Sequence, residues 1–110
     1  MNADQRARFI SDFLDEHCHK VMEGKGAEYS RGEYDVNSNF KRVAEAIGQD
    51  PVTVAYVYLA KHFDSISNFV KTRSTPSGEP IMGRIGDAVN YLLILASLLE
   101  EGVRDDVACG

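Results

Sequence analysis

Four polar side chains stand in the first half of the apolar segment from Pro80 to Glu101: Arg84, Asp87, Asn90 and Tyr91. In a helix, Arg84, Asp87 and Tyr91 are three and four residues apart and share one face. The same face continues through Ile94, Leu95 and Leu98, so it is predicted to point towards packed protein. A buried polar group without a partner is costly. The cation, the carboxylate and the phenol are therefore each committed to another side chain or to a ligand. On the ligand reading, Arg84 holds a phosphate, Asn90 reads a polar edge, Tyr91 stacks on a base and Asp87 orients Arg84 or accepts from the ligand. On the plain reading, Arg84 and Asp87 mostly satisfy each other.

A second set lies in the glycine-broken stretch KGAEYS, which holds Lys25, Glu28, Tyr29 and Ser30. Glycines let backbone amides turn inwards, and Lys25 and Ser30 add a charge and a hydroxyl suited to a phosphate, with Tyr29 as a stacking surface. The spacing is not that of a Walker loop, and an exposed charged turn reads equally well. Lys61 and His62 are adjacent on a third candidate element. His62 falls on its apolar side, either as a core histidine bonded to a carbonyl or paired with Asp87 or a phosphate. Lys61 faces the opposite way, a solvated lysine within reach of a site made by a second subunit. Asn39 offers another amide to a ligand. His17, Cys18 and His19 resemble metal ligands only as a string, because adjacent helical residues diverge too far to converge on one ion.

These residues must be positioned by helices. Apolar residues at helical spacing predict a first helix over about Ala3 to Met22, ended by Gly24 and Gly26. Residues 25–38 lack any sustained period and form a loop, long enough for a small domain to suggest a role. A short helix spans Asn39 to Ile47, stopped by Gly48. Asp50 and Pro51 then provide a cap and a first helical residue. The third helix runs to about Lys71, with Val52, Ala55, Leu59, Phe63, Ile66 and Val70 on one face. Residues 72–79 are a polar turn, the fourth helix follows to Glu101, and residues 102–110 read as a frayed polar tail. Glu100 and Glu101 look like solubilising charges. The chain is predicted to be one all-α domain, a compact bundle of about four helices. The fourth helix is apolar around most of its circumference, which predicts a homo-oligomer joined through residues 80–101. Gly83 and Gly86 on its first turns would admit a neighbouring backbone or a ligand.

With 110 residues, 44% hydrophobic and 26% charged, the composition is that of a single globular domain. A net charge of -5 argues against a nucleic-acid polymer as partner. The polar start MNADQRARF, the short apolar run Tyr91–Leu99 and two widely spaced cysteines predict no leader, no membrane span and a cytoplasmic setting.

The combination of KGxEYS, Asn39-Phe40, Lys61-His62 and Glu79-Pro80-Ile81 leading into RIGDAVNYLLIL resembles small phage-encoded helical proteins of the nucleotide-modification-associated, MazG-like families. The likeness spans about Lys25 to Glu101. It implies an all-α fold acting on or around nucleotides. MazG-type pyrophosphohydrolases carry an acid ahead of a Gly-Asp pair in the last core helix. Here Gly86 and Asp87 are kept without that acid, and the paired acids of the earlier helix are absent. Exchanging acids for Arg84, Lys25 and His62 moves such a site from Mg²⁺ towards direct phosphate binding. The leading expectation is a cofactor-free binder of a nucleotide or nucleotide-derived signal, sequestering a host immune messenger in the host cytoplasm. The alternatives are a Mg²⁺-dependent nucleoside triphosphate pyrophosphohydrolase or nucleotide-modifying enzyme using Asp87 and Glu28, and a module that binds a host protein through its fourth helix.

Overall fold

A computed structural model describes residues 1–18, 37–75 and 78–109 of the chain, with side chains to residue 102. The described residues are helical, with four helices and no strand among them: α1 (Ala3–His17), α2 (Ser38–Ile47), α3 (Pro51–Thr72) and α4 (Ile81–Cys109).

Local chemistry explains most boundaries. Asn2 caps α1 in a reciprocal capping box, accepting from the Gln5 amide at 2.8 Å while its own amide donates to Gln5 Oε1 at 2.8 Å. α1 is described over Ala3–His17 with Cys18 as its cap, and the expected continuation to Met22 lies outside the described residues. The His17 carbonyl accepts from Asn90 Nδ2 on α4 at 2.8 Å. α2 ends as expected at Gly48, whose left-handed φ of 69° lets its amide reach back to the Ala44 and Glu45 carbonyls. Asp50 caps α3 by accepting from the Val52 amide at 2.7 Å, and Pro51 takes the first helical position. α4 continues beyond Glu101 to Cys109, so the expected frayed tail is helical backbone in its described part.

α3 and α4 form the main packing pair, α2 lies against α3, and α1 rests on α4. The core consists of Phe40, Ala44, Val54, Ala55 and Leu98, bordered by Val43, Val52, Tyr58, Tyr91, Ile94 and Leu95. α3 buries only its first half: Val54, Ala55 and Leu59 are buried, whereas Phe63 and Val70 are exposed. The expected continuous inward face is thus buried only over its first half.

The apolar part of α4 is also longer than the run Tyr91–Leu99. Residues Ile81–Gly102 have a mean hydropathy of 1.3 over a window long enough, by length and composition alone, to cross a bilayer. Only 17% of that window is buried within the protomer. One flank of α4 thus packs into the core while another, carrying Met82, Leu92 and Leu93, remains exposed.

Candidate functional site

The α3–α4 seam gathers aromatic and polar side chains in one place. Tyr58 and His62 are one helical turn apart on α3, and both face Tyr91 on α4. The His62 ring stacks on Tyr91 with centroids 5.1 Å apart and planes 25° apart. Tyr58 lies 5.9 Å from Tyr91, and Phe40 meets both tyrosines edge-on at 5.9 and 6.3 Å. These geometries fix Tyr91 from three sides and leave it half-buried.

His62 Nδ1 is buried and has no hydrogen-bond partner. The expected bond to a carbonyl is therefore missing at this nitrogen. A pairing with Asp87 is not found either, and His62 packs on the Tyr91 ring instead. A buried ring nitrogen left in this state lacks the compensation that a donor or acceptor would supply.

Burial, reinforced by Tyr58 and Asp87, holds the Tyr91 phenol above its ordinary value. The folded chain thus favours the protonated phenol. Its contribution is fully present below the unfolded pKa, about 10, and is lost as pH rises through the higher folded value. Tyr91→Phe is expected to flatten the alkaline fall in stability, read as urea midpoints between about pH 9 and about pH 11. An unchanged alkaline slope would show that another group carries it.

Arg84 does not pair with Asp87. Its guanidinium forms a short ion pair with Glu79, just ahead of α4. The Arg84 side chain is partly buried, while Asp87 is exposed. The shared face of Arg84, Asp87 and Tyr91 therefore opens to solvent over the first turns of α4 and becomes core only near Tyr91. The expectation that this whole face points towards packed protein therefore fails at Asp87.

Asn90 serves α1. Its Nδ2 donates to the His17 carbonyl, and its Oδ1 is buried without a partner. One of the two expected close approaches to α4 is present at Gly86, where an added Cβ would lie 2.8 Å from His17 Cβ. At Gly83 an added Cβ would meet nothing within 4 Å. Asn39 is exposed and accepts from the Arg42 guanidinium at 2.6 Å, on the solvent side of α2. Lys61 is exposed, as its place on the helix wheel suggests. Lys25, Glu28, Tyr29 and Ser30 lie outside the described residues. So does His19, while His17 packs on Phe13 with ring centroids 4.5 Å apart.

A second polar set was not visible as such in the sequence. Asn37, only 3% exposed, donates to Ser97 Oγ at 3.1 Å and to Glu101 Oε1 at 3.0 Å. Glu101 also pairs with Lys41 at 2.7 Å. Glu101 is thus a structural anchor rather than a solubilising charge, and the network ties the start of α2 to the far end of α4. An Asn immediately ahead of a helix is the available signal, but it suggests a cap. Asn37 makes no side-chain capping bond.

Among the described residues, no three of His, Cys, Asp and Glu converge as a metal centre would need. The Mg²⁺ reading thus has Asp87 from the described part of the chain and Glu28 from outside it. What the seam offers is an aromatic wall, an imidazole nitrogen free to bond, a guanidinium one counter-ion away from release and an exposed carboxylate. No family model, no curated protein and no solved structure matches this chain.

Proposed function

We propose that this chain binds a small nucleotide-type ligand at the α3–α4 seam and holds it without turning it over. The observation that carries the reading is His62 Nδ1, buried and unpartnered beside the Tyr91 ring. A planar, hydrogen-bonding base suits both features, since it stacks on an aromatic face and supplies the missing bond. Arg84 lies on the same face of α4, two turns from Tyr91, and exchanges Glu79 for a phosphate. Charge favours that exchange, because a phosphate offers a denser anion than one carboxylate. Asp87 accepts from the sugar or orients Arg84. Asn39 and Lys61, which face solvent on α2 and α3, are left out of the seam. Lys25, Tyr29 and Ser30 belong to the same reading as a second phosphate-binding element. The likeness to phage-encoded nucleotide-associated families extends it to sequestration of a host signalling nucleotide.

Calorimetric titration with a nucleoside monophosphate, a nucleoside triphosphate and a cyclic dinucleotide tests this. At least one class is expected to bind saturably. Arg84→Ala is expected to weaken that binding by about tenfold to about a hundredfold, as for loss of a charge-assisted contact. Absence of binding in all three titrations overturns the proposal. Pyrophosphate release that disappears in Asp87→Asn would replace it with the hydrolase reading.

A further inference from the structure

An unpartnered apolar surface lies on the other side of α4 from the seam. An open groove of about 370 Å³ runs between α1 and α4, lined by Phe9, Ile10, Leu14, Met82, Ile85 and Val89. Phe9, Ile10, Leu14 and Met82 are 45%, 49%, 38% and 49% exposed, and the apolar surface continues along α4 through Leu92 and Leu93. Among the described residues, thirteen large hydrophobic side chains are exposed, against eight buried hydrophobic ones. A contiguous patch of this kind marks an interaction surface.

The pattern of α1 indicates what covers it. We propose that the groove is the seat of α1 from a second copy of this chain, packed antiparallel about a two-fold axis between Ser11 and Asp12. In that register Phe9 lies opposite Leu14 of the partner subunit, and Ile10 lies opposite Phe13 of the partner subunit. Both pairs recur by symmetry, so the stripe is complementary to itself. The charges agree with it. Arg6 stands on the stripe at one end of α1 and makes no ion pair among the described residues. Glu16, exposed at the other end, borders the adjoining part of the groove. In this register Arg6 lies opposite His17 of the partner subunit, one residue from the partner's Glu16, so antiparallel packing brings each Arg6 within reach of that carboxylate, whereas parallel packing sets like charges together. The result is a four-helix bundle of α1 and α4 from both copies, with hydrophobic seams closed on all sides. This surface is separate from the ligand seam, so either can fail without the other.

Sedimentation equilibrium on the full chain tests the interface and its register. The wild type is expected to be a dimer at micromolar concentration. Ile10→Asp, with an unchanged helical circular dichroism spectrum, is expected to be a monomer. Arg6→Glu alone, an exposed change that leaves the protomer intact, is expected to raise the dimer dissociation constant about tenfold or more. The double variant Arg6→Glu with Glu16→Arg is expected to return it to near the wild-type value. A monomeric wild type, a dimer indifferent to Ile10→Asp, or no recovery in the charge swap overturns the proposal. So does flotation of the wild type with phosphatidylcholine–phosphatidylglycerol vesicles that Ile10→Asp abolishes, which would make a bilayer the occupant.

Discussion

Replacing Phe40 by Ala is expected to cost about 3–5 kcal/mol of folding stability, the range for deleting a buried aromatic ring. Phe40 is 8% exposed and is the point at which α2, α3 and α4 meet. Its ring stands edge-on to both Tyr58 and Tyr91, so truncation removes core volume and two aromatic contacts together. Whole domains are stable by only about 5–15 kcal/mol, and eight hydrophobic side chains are buried among the described residues. Urea denaturation followed by circular dichroism is therefore expected to show a large loss of midpoint, with little change for Phe40→Leu by comparison. Tyr91 loses one of its three supports in the same variant, so ligand affinity is expected to fall even where the fold survives. A loss below about 1 kcal/mol would mean that the α2–α3–α4 junction is not the core of the molecule.

Two glycines on α4 give the second expectation, and the two substitutions should move stability in opposite directions. In a helix, Gly→Ala ordinarily stabilises by up to about 1 kcal/mol. Gly83→Ala should follow that rule, because the new methyl group meets nothing within 4 Å. Gly86→Ala should reverse it. The added Cβ falls 2.8 Å from His17 Cβ and 2.9 Å from His17 Cγ, at the root of a side chain that already rests on Phe13. α1 has to move away, and the Asn90–His17 bond that holds its last turn is strained with it. The net cost is expected to be about 1–3 kcal/mol, the usual range for overpacking. Parallel denaturation of both variants checks the sign as well as the size. Equal stabilisation by both would remove the close approach of α1 to α4.

Several features were legible in the sequence because they depend on neighbours in the chain. Asp50-Pro51 opens α3 and Gly48 closes α2 through contacts within four residues. The aromatic and polar face of α4 could be drawn on a helix wheel for the same reason. What could not be read depends on distant partners. Nothing local indicates that Asn37 will be buried against Ser97 and Glu101, some sixty residues away. Helical spacing offers Asp87 as one partner for Arg84, but Glu79, just before the helix begins, lies outside that spacing and forms the pair. The apolar period of α3 persists to Val70, but periodicity alone does not tell that Phe63 and Val70 are left exposed. His62 could be placed on the apolar side, but not beside the ring that leaves its Nδ1 without a partner.

The central claim is that the His62–Tyr91 seam receives a nucleotide base. The most direct measurement follows the His62 ring nitrogens by ¹⁵N-resolved NMR while the nucleotide that binds best is added. His62 Nδ1 is expected to shift progressively and to saturate with the same dissociation constant as the calorimetric titration, with the Tyr91 ring signals moving alongside it. Saturable binding that leaves both rings unmoved would contradict the account and place the ligand elsewhere on the chain.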